Sequence, residues 1–264
     1  MSYALSRAEI RSMIRPGAYP GRFAALLAGT DHPLADPARS IERIAFEQTF
    51  GNDAATMSAE YGPYEPASRF IIVLDQAHRL PAGVIRLIDE SPAGLKSLND
   101  APAHIGGTVE AIRAHHHMTD GRPAVDVATL AVLPEYRGAR SALVSTLLYR
   151  TLYRVFTREH ITHVVAMIDR DAYRNLRRIG TPFVPMLASG PFAYLGAAEN
   201  HALYGHFPDF GPAITQNAAA LRESARPTLA DLRHPRRLLF RRAAAHIATS
   251  IITGNGLDRQ IHLD

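Results

Sequence analysis

The segment Leu130-Ala-Val-Leu-Pro134-Glu-Tyr-Arg137-Gly138-Ala139-Arg140-Ser141-Ala142 constrains the fold more than any other part of the chain. An apolar run from Ala124 ends at a proline, and a short basic turn follows. Apolar residues then recur at helical spacing from Ala142 through Leu147, Leu152 and Phe156. Strand, turn and helix in that order aim backbone N–H groups and a helix N-terminus at one point, which is how a chain grips phosphate. The arrangement predicts a binder of a phosphorylated carrier such as coenzyme A.

The surrounding pattern supplies a sheet for this unit. Residues from Arg7 to Ala28 read as helix in two pieces, broken at Pro16-Gly17 and Pro20-Gly21. A second helix is predicted from about Pro37 to Phe50, with Ile41, Ile44, Ala45 and Gln48 on one side. Tyr61–Pro66 reads as a proline-broken loop. Arg69–Leu74 and Gly83–Ile88 form an antiparallel hairpin pattern, followed by a polar excursion over 89–121. A strand over Ala124–Leu133, the helix to about 158, a buried strand over His163–Ile168 and a short helix over Arg170–Ile179 come next. Weaker strands are expected at Phe192–Leu195 and Ala202–Phe207. This order predicts an α/β fold whose mixed, twisted sheet holds a central parallel pair joined by the 142–158 helix. Residues 1–213 form the expected domain, including its N-terminal helices, and 214–264 a basic helical extension.

Composition removes several chemistries. The 264 residues contain no cysteine, which excludes disulfides, zinc–thiolate sites and a cysteine nucleophile. No Gly-x-Ser-x-Gly elbow is present. The net charge of +4 comes almost entirely from arginine, since Lys96 is the only lysine. Arginine suits anionic ligands through its bidentate fork, but the simpler reading of this usage is a GC-rich, alanine-rich coding bias. No zinc finger or comparable motif accompanies it, so no nucleic-acid partner is expected. The consecutive His115, His116 and His117 diverge from one another and lack a recognised ligand spacing, so no metal is expected. With no signal-peptide pattern and no run of roughly eighteen apolar residues, a cytoplasmic protein is predicted. The basic, apolar stretch 235–252 reads either as a surface for an anionic membrane or an acidic carrier protein, or as a helix packed on the domain.

The 130–142 segment resembles the acyl-carrier signature of the GNAT superfamily of N-acyltransferases. That signature is Arg or Gln, two residues, Gly, one residue, then Gly or Ala, between the fourth strand and the third helix. Arg137 and Ala142 match its ends, while Arg140 stands where the first glycine is expected. The resemblance covers about residues 40–210 and implies a GNAT-like sheet, largely antiparallel around its parallel pair. It also implies that backbone amides of Arg137, Gly138, Ala139, Arg140, Ser141 and Ala142 cradle a pyrophosphate. Ala131 and Val132 would pair through their backbone with a pantetheine arm. Further downstream, Arg174–Phe183, Pro185-Met-Leu187 and Gly190-Pro191-Phe-Ala-Tyr194-Leu-Gly196 resemble the acyl-homoserine-lactone synthases and long-chain N-acyl amino acid synthases. Those enzymes often draw acyl groups from acyl carrier protein, so either acyl-CoA or acyl-carrier-protein is the implied phosphopantetheine thioester donor. In that branch a strand carboxylate precedes an arginine by three residues; Asp126 matches the first and Thr129 occupies the second.

The implied reaction is attack of an amine on a thioester, with an oxyanion developing and a thiolate leaving. Asp126, on one face of the strand flanking the thioester, is the expected base, with a pKa raised if it is desolvated. Glu47 and Glu60 are remoter candidates on segments that close over the acceptor. Many superfamily members protonate the thiolate with a tyrosine. Aligning Ile179-Gly180 places Leu176 there, with Tyr173 one helical turn away as a substitute. The expected acceptor is a small-molecule amine, amino acids included. The rival reading, favoured by Leu176 and Arg140, is a catalytically silent acyl-carrier-binding or peripheral membrane module using the basic C-terminal helix.

Overall fold

The computed structural model describes residues 3–137, 142–224, 235–254 and 260–263, apart from the side chains of 142 and 235–240. Its strands are β1 (Phe23–Gly29), β2 (Ser68–Asp75), β3 (Leu80–Asp89), β4 (Ala124–Val132), β5 (His163–Asp169), β6 (Val184–Pro185), β7 (Phe192–Tyr194), β8 (Ala197–His206) and β9 (Ile261–His262). They form one sheet in the order β6-β8-β5-β4-β3-β2-β1-β9, with β7 pairing β8. Pairing is antiparallel except at β4–β5, the expected central pair, and at β1–β9 on the edge.

Helices cover both faces. One side carries α7 (Ala142–Arg158), α8 (Arg170–Ile179), α9 (Phe210–Ser224) and α10 (Pro235–Thr253). Val144, Leu147, Leu148 and Phe156 of α7 pack there with Ile71, Ile85 and Val127 of the sheet. On the other side lie α1 (Arg7–Met13), α2 (Ala35–Phe50), α3 (Ala54–Tyr61), α4 (Lys96–Asp100), α5 (Pro102–Ile105) and α6 (Val109–His115). Ile10, Ile41 and Ile44 meet Phe70, Ile72 and Val84 on that side. Gly83 of β3 sits directly under α7: a Cβ there would lie 2.9 Å from Leu148 and 3.0 Å from Val144. The missing side chain lets the helix lie close on the sheet immediately after the turn that follows β4. Ala248 and Ile251 of α10 belong to the same core as α7. Among the described residues no helix is long and apolar enough to cross a membrane.

The expected helix between Pro20 and Ala28 is instead the strand β1. Phe23-Ala-Ala-Leu-Leu-Ala-Gly29 contains good helix formers, yet all seven residues pair with β2. Tertiary pairing has overridden local propensity. Residues 54–61 are helical, and the segment read as a loop continues as a 3-10 helix over Gly62–Ala67. On α2, Gln48 is exposed while Glu42 joins Ile41, Ile44 and Ala45 on the buried face.

One irregularity in β4 decides which side chains reach which face. Arg86 of β3 opposes Thr129 and its neighbour Leu87 opposes Val127, so Ala128 is an extra residue, a β-bulge. Strict alternation would put Asp126 and Thr129 on opposite faces. The bulge returns Thr129 to the face of Asp126, where its hydroxyl donates to Glu42.

Candidate active site

The parallel pairing of β4 and β5 covers only Ala124–Asp126 against His163–Val165. Beyond it, Ala128, Thr129 and Leu130 of β4 and Met167, Ile168 and Asp169 of β5 line a cleft. Two chambers share Leu130, Ile168 and Ala172 as common wall. The one under α7–α9 is almost wholly apolar, lined by Tyr149, Leu152, Phe156, Leu176, Phe183 and Phe210 among others. The one on the opposite face, called the polar chamber below, mixes apolar walls such as Phe46 and Phe50 with the polar groups of Tyr61, Lys96, Asp100 and Tyr194.

Lys96, the sole lysine, is 4% exposed on the polar chamber wall. Its ammonium donates to Glu60 at 2.6 Å, Asp100 at 2.5 Å and the Tyr194 hydroxyl at 2.7 Å. Tyr194 in turn donates to Asp100 at 2.6 Å. Burial disfavours the charge on Lys96, but the bonds to Asp100 and Glu60 outweigh it and hold its pKa above the ordinary value. Burial, reinforced by Asp100, pushes the Tyr194 phenol far up and keeps it protonated. The cluster joins α3, α4 and β7, elements well apart in the sequence.

Asp126 lies directly behind this group. It is fully buried, and its two oxygens accept from the Ser97 N–H at 2.6 Å and the Ser97 hydroxyl at 2.8 Å. Burial raises its pKa to about 7 against the opposing effect of those bonds. It pins α4 to the sheet without itself lining the chamber.

Next to the chamber is a second buried network that the sequence reading did not single out. Arg86 of β3 is fully enclosed and donates to Glu42 and Glu65 at 2.7 Å each, to Tyr3 at 2.8 Å and to Ser68 at 3.2 Å. Arg39 donates to the other oxygen of Glu65 at 3.0 Å. The Arg86 guanidinium also lies over Tyr61, 4.8 Å from its ring centre, and Tyr61 is part of the chamber wall. A lone arginine inside the apolar run Val84-Ile-Arg-Leu-Ile88 was the available signal, since a buried charge requires partners.

The remaining expected site residues fall as follows. Ala131 and Val132 pair with Val84 and Gly83 of β3, beyond the last β5 pairing. The Arg137 side chain turns back onto β4, donating to the Val132 carbonyl at 2.7 Å and to Thr49 of α2 at 3.2 Å. Gly138, Ala139, Arg140 and Ser141 lie outside the described residues, and Ala142 opens α7. Glu60 is in the Lys96 cluster, whereas Glu47 is exposed and paired with Arg43. Tyr173 packs against His201, and its hydroxyl donates to the Phe183 carbonyl at 3.4 Å; it borders the apolar chamber without lining either one. Leu176 lines the apolar chamber. His116 turns inward and stacks on Tyr204, with ring centres 4.3 Å apart.

No protein-family model matches the chain, and no curated protein matches it by sequence. Among solved structures it is similar to FeeM, an N-acyl amino acid synthase from uncultured soil microbes. The identity is 17% and the TM-score 0.55, over 75% of this chain and 96% of that one. It is also similar to BjaI, a CoA-dependent acyl-homoserine lactone synthase solved with SAM and isopentyl-CoA. There the identity is 11% and the TM-score 0.53, over 92% and 93% of the two chains. The chain therefore shares the fold of these two synthases, the GNAT-like α/β fold that the sequence resembles.

Proposed function

We propose that this protein is an N-acyltransferase that moves an acyl chain from a coenzyme A thioester to the amine of a small molecule. The observation that carries this reading is the parting of β4 from β5 between an apolar and a polar chamber with a shared wall. A thioester held in the cleft would have its chain on the apolar side and the attacking amine on the other. Among the described residues β4 has no β5 pairing beyond Asp126, so a carrier arm would meet the backbone of that edge, with the Val132 carbonyl already taken by Arg137. An acyl carrier protein is the alternative donor, and the resemblance of the turn before α7 supports a phosphopantetheine carrier of either kind.

In this reading the amine attacks the thioester carbonyl directly, its proton passes to a carboxylate, and the leaving thiolate takes a proton. Asp100 lines the chamber and is the carboxylate we assign to the first transfer. Tyr194, joined to Asp100, is the donor we assign to the second; the proton that Asp100 took from the amine returns along their hydrogen bond, so no tyrosinate is left behind. Asp126 then acts as a positioning residue, fixing α4 through Ser97. Tyr194→Phe should lower kcat at least tenfold with little change in KM for the donor, while Tyr173→Phe stays within about threefold of the parent. The reverse ranking would return the acid role to Tyr173.

The activity itself is tested by thiol release from acyl-CoA esters of increasing length against a panel of amines. Ala166 of β5 is buried and lines the apolar chamber. Ala166→Leu should shift the preferred donor to chains about two to four carbons shorter, since each displaced methylene forfeits about 0.8 kcal/mol. No thiol release with either CoA or carrier-protein donors, despite donor binding, would leave a binding module in place of an enzyme. An unchanged length preference in Ala166→Leu would remove the acyl chain from this chamber.

A further inference from the structure

The sign of the charge around the polar chamber narrows the acceptor, an inference that rests on the acyltransferase reading above. Among the described residues the charged groups in its lining are Lys96, Asp100 and Asp169. Glu60 stands against the Lys96 ammonium. The formal charge of this set is negative, in a chain whose overall charge is +4. Among the described residues none of the many arginines lines the chamber.

The carboxylate of a free amino acid is best held by a cation, and the only cation in the described lining is already committed. An ammonium has three donors. Those of Lys96 go to Glu60, Asp100 and Tyr194. A substrate carboxylate would have to displace one of these partners and would then sit beside Asp100. Such like-charge contact in a half-enclosed site is strongly unfavourable. An ammonium entering the same space meets Asp100 and Asp169 with the attractive sign. The aromatic rings of Phe46, Phe50 and Tyr61 suit an apolar or aromatic body attached to it.

We propose that the acceptor is an amine without a free carboxylate beside its amino group, such as an aryl-alkyl amine or a diamine, and that α-amino acids are excluded by charge. The test uses the whole 264-residue chain, one acyl-CoA donor, and pairs of acceptors that differ only in the carboxylate: tyramine against tyrosine, phenethylamine against phenylalanine, cadaverine against lysine. The decarboxylated member of each pair should have at least a tenfold higher kcat/KM. Glu60→Gln, which removes one negative charge at the partly exposed rim, should narrow that ratio severalfold without loss of fold.

Equal or reversed preference within the pairs overturns the proposal while leaving acyl transfer intact. Absence of thiol release with every acceptor, from this donor and from the matching acyl-carrier-protein thioester alike, overturns the acyltransferase reading instead. In that event the charge selection is read by calorimetric titration of the same pairs. Binding of the amines but not of the amino acids upholds the selection, and equal binding, or none, overturns it.

Discussion

Arg86→Met should be among the most damaging single substitutions in this protein. It leaves Glu42 and Glu65 buried without the guanidinium that now bonds both. Removing one partner from a buried ion pair costs roughly 3–5 kcal/mol, because the remaining charge stays desolvated. For a chain of this size that corresponds to a fall in Tm on the order of 10 °C. Arg86→Lys should recover only part of the loss. Its compact ammonium cannot span Glu42, Glu65, Ser68 and Tyr3 together as the planar fork does. Thermal and urea unfolding of the two variants beside the parent provide the measurement. A melting temperature for Arg86→Met within two or three degrees of the parent, roughly 1 kcal/mol, would show that the network is dispensable.

The second large effect is on pH dependence. Burial raises the pKa of Asp126 to about 7, far above an ordinary aspartate. Between the ordinary carboxylate value and about 7, the folded state keeps a proton that the unfolded chain has released. Folded-state proton uptake then exceeds that of the unfolded state, so stability falls as pH rises through this window and levels off above it. A shift of that size corresponds to about 4 kcal/mol. Asp126→Asn can satisfy the same two groups, its carbonyl accepting the Ser97 N–H and its amide donating to the Ser97 hydroxyl. The variant should match the parent near pH 4 and be the more stable by up to about 4 kcal/mol at pH 8. The difference between the two urea-unfolding profiles isolates this group from others that titrate. Parallel profiles from pH 4 to 8 would mean that Asp126 does not carry the shift.

The parts of the fold that were legible in the sequence are those in which local pattern and tertiary role agree. The β4–turn–α7 unit has a strand run, a proline and a helical repeat, all in one short stretch. Helix α8 carries its own boundaries: the Asp169 carboxylate caps Asp171 and Ala172, and Gly180 closes the other end with φ +97°. Strand β1 was illegible because its alanines and leucines favour helix, and its pairing with β2 and β9, distant in sequence, makes it a strand. The bulge at Ala128 leaves no mark in residue type, so the shared face of Asp126 and Thr129 could not be read from alternation. Asp126 was legible as a strand carboxylate, but its partner Ser97 was not, since their meeting depends on how α4 folds back across the sheet. The single lysine was visible from composition. Its neighbours Glu60 and Tyr194 lie 36 and 98 residues away, a distance over which sequence spacing carries no geometry.

The extra residue in β4 also assigns its neighbours to rooms. Ala128 and Thr129 look toward α2–α4, and Leu130 stands at the wall between the two chambers. The partition therefore depends on a count of residues as much as on their chemistry. Two relatives with the same side chains in this strand, differing by one residue between the carboxylate and the turn, would present opposite walls to donor and acceptor. In a fold of this kind, changes of specificity can come from insertion and deletion in a buried strand, where substitution alone would have to rewrite several positions at once.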